Sequence, residues 1–154
     1  MKEKMTAKQY LLQSVKIRER MAFIRERIEK IESDLGYHPV QLDDSGASHL
    51  NYREDKMSEK MAELADLDTE YKDELVHLEK KNEEIRNRVE LIENPEYRAV
   101  LTARYLTENR RHPCRLNAWV TVAFSLGLTS EEAAKQKHKR AINIFEKILR
   151  SDTL

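Results

Sequence analysis

The stretch Asn117-Ala118-Trp119-Val120-Thr121-Val122-Ala123-Phe124-Ser125-Leu126-Gly127-Leu128-Thr129-Ser130 reads as the middle of a helix-turn-helix. Trp119, Val122, Ala123 and Leu126 recur at three- and four-residue steps and make one face of a short helix. Ala123 and Gly127 stand four apart. The alanine lets a following helix approach closely, and the glycine permits the positive φ of a tight turn. Thr129 with Glu132 has the capping-box pattern and opens a long last helix. The inward stripe of that helix is Ala133 or Ala134, then Ala141, Ile144 or Phe145, and Ile148.

Upstream of this stretch lies a basic loop from Thr107 to Leu116. Before the loop, Asn94 caps a helix that runs from Glu96 to about Leu106, with Pro95 in its first turn. Tyr97, Val100, Leu101 and Tyr105 are its apolar stripe. Residues 95–154 thus read as a three-helix helix-turn-helix domain.

Residues 1–94 follow a seven-residue period instead. Thr6 and Gln9 form a capping box, so a helix starts at Ala7. Apolar residues recur at Tyr10, Ile17, Met21, Ile24, Ile28, Ile31 and Leu35, with Ser14 as the one core gap. Gly36 stands at the helix end, and Pro39 follows. A second repeat runs through Met57, Met61, Leu64, Tyr71, Leu75, Leu78, Ile85, Val89 and Ile92, with Asp68 and Asn82 on core positions of the same register. Steps of 3.5 residues with charged flanks describe a coiled coil, closed into an antiparallel hairpin by residues 36–51. At 1.5 Å per residue the first helix spans ~45 Å and the second ~63 Å. The overhang from Lys80 to Glu93 needs another surface, either the C-terminal domain or a second protomer. Leu78, Asn82, Ile85, Val89 and Ile92 are therefore the expected oligomerisation residues of a homodimer, with Asn82 either fixing register or tolerating a solvated kink.

Composition agrees with an all-α chain. Of 154 residues, 36 % are charged and only 6 % aromatic, while Gly and Pro number 3 each. Sheets and barrels need far more turn-formers. The 28 basic and 28 acidic residues cancel, yet residues 1–94 hold 17 basic against 22 acidic and residues 95–154 hold 11 against 6. A basic last part facing an anionic partner follows. The single Cys114 excludes a disulfide framework or a cysteine zinc site within one chain. No apolar run nears the ~20 residues of a membrane helix, and the N-terminus lacks a signal-peptide core. His38, Asp43, Asp44 and His49 lack metal-ligand spacing, so the segment they occupy reads as a linker. His112 beside Cys114 has no orienting acid, and there is no phosphate-binding glycine loop. Neither catalysis, a metal nor a cofactor is expected. Trp119 and Phe124 read as core rather than as a platform for stacked bases.

Several residues carry a resemblance. They are Pro95-Glu96-Tyr97-Arg98, Leu101, Arg104-Tyr105-Leu106, Trp119-x-x-Val122-Ala123-x-x-Leu126-Gly127, Ser130, His138-x-Arg140-Ala141-Ile142 and Phe145-Glu146-x-Ile148-Leu149. With the opening Met5-Thr6-Ala7-Lys8-Gln9-Tyr10-Leu11, the chain resembles sigma-70 region-4-like transcription regulators encoded by phages of Gram-positive bacteria. The resemblance implies a DNA-binding protein of phage late gene expression, at work in the cytoplasm of a bacterial host. Relative to that family the loop before Trp119 is longer, and Glu131 and Glu132 place acid at the start of the recognition helix.

The physical reading of the last helix points the same way. With Ala134 and Ala141 turned inward, Ser130, Glu131, Lys135, Gln136, His138 and Lys139 face outward. Lys135, Lys139 and Arg140 meet phosphates, Gln136 suits an adenine edge, and Glu131 accepts from a cytosine amino group. Arg110, Arg111 and Arg115 clamp the backbone from the loop. About six such phosphate contacts give a slope of log affinity against log salt of roughly −5. The expected partner is duplex DNA, with RNA polymerase as a further partner of the coil. The alternative is a protein-interaction module on polymerase or a host factor, which Glu131, Glu132 and the zero net charge favour.

Overall fold

The computed structural model describes residues 4–36 and 48–152. Every regular element among them is helical: α1 (Ala7–Leu11), α2 (Gln13–Gly36), α3 (Ser48–Val89), α4 (Pro95–Leu101), a π-helical turn (Thr102–Leu106), α5 (Trp119–Ser125) and α6 (Glu131–Ser151). The all-α class expected from composition holds. No helix of the described residues is long and apolar enough to cross a membrane. His38, Asp43 and Asp44, and the side chain of His49, lie outside the described residues.

The chain forms two compact units. One comprises residues 1–19 and 77–154, the other residues 20–76. This division differs from the one expected at residue 94, because helices from both ends of the chain build the first unit's core. Ala7, Tyr10 and Leu11 of α1 and Ile85, Val89 and Ile92 at the end of α3 are buried with Val100, Leu101, Tyr105, Val122, Ala123, Ala134, Ala141 and Phe145. Each fully buried Leu, Ile, Val or Phe contributes roughly 1.5–3 kcal/mol.

Polar contacts fix α1 in place. Thr6 Oγ1 accepts from the Gln9 amide at 3.3 Å, and Gln9 Oε1 accepts from the Thr6 amide at 2.9 Å, so the expected capping box forms. The Ala7 amide donates to Glu146 of α6 at 2.8 Å. Tyr10 donates its hydroxyl to Glu84 at 2.8 Å, its ring lies 5.8 Å from that of Phe145, and the Arg88 guanidinium covers it at 5.2 Å. Burial, followed by the hydrogen bond to Glu84, pushes the Tyr10 phenol well above its ordinary range.

The end of α3 settles where the overhang packs. Ile85, Val89 and Ile92 are buried inside the chain's own core, so they are not free to form an intermolecular seam. Leu78 and Asn82 are half-buried on the same face, and the buried Oδ1 of Asn82 finds no hydrogen-bond partner among the described residues. The expected gap residue Ser14 is also fully buried. α3 stops before Asn94, whose Oδ1 accepts from the Glu96 amide at 2.9 Å, and Pro95 begins α4 as its spacing predicts.

In the second unit, α2 buries Met21, Ile24 and Ile31. α3 presents Leu64, Leu67 and Tyr71, all half-buried. Ion pairs Arg20–Glu74 at 3.2 Å, Arg27–Glu63 at 2.8 Å and Lys60–Asp34 at 4.0 Å fall in antiparallel order. Arg25 donates to the Tyr71 hydroxyl at 2.7 Å and lies over its ring. Exposed pairs of this kind contribute little each, so the apolar seam sets the register. That register corrects the sequence expectation. Leu67 and Glu74 turn toward α2, whereas Asp68 is exposed and pairs with Lys72 at 2.9 Å, and Met57, Met61 and Leu75 face solvent. Burying the Asp68 carboxylate costs more than a one-residue shift, about 100° of helix rotation, that brings in Leu67 instead.

Candidate nucleic-acid interface

The C-terminal surface is organised from the π-helical turn outward. There the Thr107 amide reaches back five residues to the Thr102 carbonyl at 2.9 Å. The widened turn leaves carbonyls to be satisfied, and Asn117 satisfies them: its side-chain amide donates to Ala103 O at 2.9 Å and Thr107 O at 2.8 Å. Arg104 in turn donates to the Asn117 carbonyl and stacks over Trp119 at 4.2 Å. Asn109 ties the basic loop, accepting from the Arg111 and His112 amides at 3.0 and 3.1 Å and donating to Leu116 O at 3.2 Å. Asn109 and Asn117 were not singled out by the sequence. Their signal is weak, since an asparagine in a polar loop looks like any solvated residue.

α5 ends as the sequence predicts. Gly127 has φ 67°, its amide donates to Phe124 O at 3.1 Å, and the Leu128 amide donates to Ala123 O at 2.9 Å. This pair of bonds is the Schellman termination that glycine favours. The cap of α6 falls one residue later than expected. Ser130, not Thr129, is the N-cap, and its hydroxyl oxygen accepts from the Ala133 amide at 3.2 Å. Glu131 and Glu132 therefore occupy the first turn of α6. Negative charge there complements the helix dipole, which gives both glutamates a local structural use.

α6 presents Glu131, Lys135, Gln136, Lys139 and Arg140 to solvent, in line with the expected outer face. Gln136, Lys139, Arg140 and Asn143 line one shallow concavity of about 410 Å³. Asn143 was missed, although its place four residues after Lys139 puts it on the same face. None of Lys135, Lys139 and Arg140 forms an ion pair among the described residues, whereas Lys137 is held by Glu96 at 2.6 Å.

One expected site residue of α6 stands in the core instead. His138 is only 7 % exposed and belongs to the core. Its Nε2 lies 2.8 Å from the Tyr105 hydroxyl, and the Trp119 ring meets it edge-on at 4.9 Å. Burial, reinforced by the positive charge of Arg104 and Lys8, pulls its pKa down to about 4. A neutral, enclosed imidazole has no charge to offer a phosphate. The reason is the four-three-four spacing of Ala134, His138, Ala141 and Phe145, which continues the inward stripe through 138.

The loop arginines are also set apart from the α6 cluster. Arg110 and Arg111 line a separate open groove of about 1240 Å³ with residues of α3, α4 and α5, to which no α6 residue contributes. Arg115 is exposed outside it. Phe124, expected in the core with Trp119, is 86 % exposed and also lines that groove. Val122 and Ala123 take the inward positions of α5, and Phe124 follows them round to solvent. Among the described residues no group of three His, Cys, Asp or Glu is placed to hold a metal ion. Cys114 is half-buried and His112 exposed.

Comparison with protein-family models, with curated proteins and with solved structures returns no match to this chain.

Proposed function

We propose that the chain is a transcription regulator of the phage sigma-70 region-4-like kind, which reads duplex DNA with α5, the Gly127 turn and α6 acting as a helix-turn-helix. The observation that carries the reading is the solvent face of α6, where Lys135, Lys139 and Arg140 stand without ion pairs beside Gln136. Lysine and arginine neutralise phosphates, while glutamine and asparagine present the paired donor and acceptor that adenine edges match. The helical arm of residues 20–76 serves self-association or polymerase contact in this scheme. The buried Ile85, Val89 and Ile92 have no part in that contact.

The test is a mobility-shift assay of the full chain on random duplexes at two salt concentrations, with the bound pool sequenced. Enrichment of one motif is the expected result. Three phosphate contacts from α6 alone give a log–log salt slope of roughly −3, and a slope near −5 means that loop arginines join them. Lys135→Ala with Lys139→Ala weakens binding to all sequences alike, and Gln136→Ala relaxes preference at one position. Absence of binding at low salt overturns the reading.

A further inference from the structure

The large groove beside α5 has a composition that the α6 surface does not account for. Arg86 of α3, Arg98 of α4 and the loop residues Arg110 and Arg111 converge on it. No guanidinium of the four forms an ion pair or a hydrogen bond among the described residues. Glu90 and Glu108 also line the groove, leaving it with two positive charges in excess. Cations gathered without partners in a concavity with apolar walls concentrate their field on whatever anion enters. The groove also has an apolar anchor, because Phe124 projects into it almost fully exposed while Val89 and Val122 form buried wall behind. A large aromatic ring left in water is less favourable than a covered one.

We infer that this groove docks a short acidic segment of a partner protein, whose large apolar side chain covers Phe124 and whose carboxylates pair with Arg86, Arg98, Arg110 and Arg111. Arginine suits this task, since its planar fork takes a carboxylate in two parallel hydrogen bonds. The geometry favours a peptide over a nucleic-acid strand for two reasons. A strand carries a negative charge at every nucleotide and meets Glu90 and Glu108 of the lining, whereas a peptide spaces its carboxylates. Single-strand tracks also present successive aromatic platforms, and this groove holds Phe124 as its one aromatic ring. An amphipathic helix laid in a charged, apolar-floored groove is a recurrent way for a folded domain to take a partner segment. The site shares no residue with the α6 face, so it works whether or not α6 reads DNA.

The experiment is fluorescence anisotropy with the full chain and a labelled helical peptide of about fifteen residues, carrying Leu and Phe on one face and Glu on the other. A matched peptide with Lys for Glu and a labelled oligo-dT of equal length are the comparisons. The acidic peptide is expected to bind at least tenfold more tightly than either. Arg86→Glu and Phe124→Ser, both at exposed positions, are each expected to weaken it severalfold without changing the circular dichroism spectrum. Lys135→Ala with Lys139→Ala is expected to leave it within twofold. Equal binding of the acidic and basic peptides, tighter binding of oligo-dT, or indifference to both Arg86→Glu and Phe124→Ser overturns the proposal.

Discussion

The Tyr105 hydroxyl and the His138 Nε2 lie 2.8 Å apart inside the core, joining the π-helical turn to α6. Their rings stack at 5.6 Å, and Trp119 closes the third side with Arg104 above it. The surrounding charges, Arg104 and Lys8, are both positive, so they add to burial in disfavouring the imidazolium. The histidine pKa falls from 6.5 in the unfolded chain to about 4 in the fold. The unfolded state then binds the extra proton more readily, and stability declines as pH falls. The contribution is complete above pH 6.5 and is lost as pH drops through that value toward about 4. It is on the order of 3 kcal/mol. Urea midpoints measured at several pH values for the parent and for His138→Gln should converge toward the acid end, the variant being less stable at neutral pH. Parallel profiles would show that His138 is not buried neutral.

Ile85 tests which surface the end of α3 serves. It is fully buried in a core cluster that also holds residues of α1, α4, α5 and α6 of its own chain. Ile85→Ala should therefore cost about 2–5 kcal/mol of stability, as other large-to-small core changes do. The oligomeric state measured by sedimentation should not change. For the same reason a fragment of residues 94–154 should not unfold cooperatively, since it lacks Ile85, Val89 and Ile92 as well as α1. A fragment as stable as the whole chain would remove α1 and α3 from the core.

Much of this arrangement was readable as spacing. Thr6 with Gln9, Asn94 with Pro95, and Gly127 after Leu126 each announce a helix boundary by local chemistry, and each boundary is found there. What spacing does not encode is which of two adjacent stripes faces the partner helix. Leu67 and Asp68 are neighbours, and a 3.5-residue repeat through either is nearly as regular. The choice follows from the cost of desolvating Asp68, and it depends on α2 being opposite. His138 was misread for a related reason. Amid Lys135, Lys137, Lys139 and Arg140 it looks like part of a charged face, and only the packing of Trp119 and Tyr105 reveals a pocket shaped for it. The α6 cations were legible because they are local to one helix. The large groove was not, because its arginines come from Arg86 to Arg111 across three segments.

The Gly127 turn separates backbone cost from packing cost. A Cβ placed on Gly127 meets nothing within 4 Å, so substitution there is opposed by its φ of 67° alone. Gly127→Ala should lower stability by roughly 1–2 kcal/mol and Gly127→Asn by less, since asparagine tolerates the left-handed region. The adjacent cap gives a second reading of the same junction. Ser130→Ala should cost about 1 kcal/mol, and Thr129→Ala close to nothing. Thermal melts of the four variants check both; a larger loss at Thr129 than at Ser130 would move the cap back to the position the sequence suggested.

In the proposed scheme self-association would fall to residues 20–76, where apolar side chains remain in water. Met61 is 61 % exposed, and Met57, Leu75 and Val76 also face solvent along α3. Met57, Met61 and Leu75 keep heptad spacing among themselves, as a second helical seam would. They are the residues displaced outward when Leu67 and Glu74 turned toward α2. Sedimentation equilibrium of the full chain should detect a dimer, and Met61→Glu with Leu75→Glu should dissociate it while leaving the unfolding midpoint of the dissociated chain unchanged. Such a pair lies far along the chain from Ile85, so loss of the dimer without loss of the core assigns the two stripes of α3 to separate tasks. A parent chain that sediments as a monomer at high concentration would leave this arm to a different protein, and polymerase contact would then be its remaining use in the scheme.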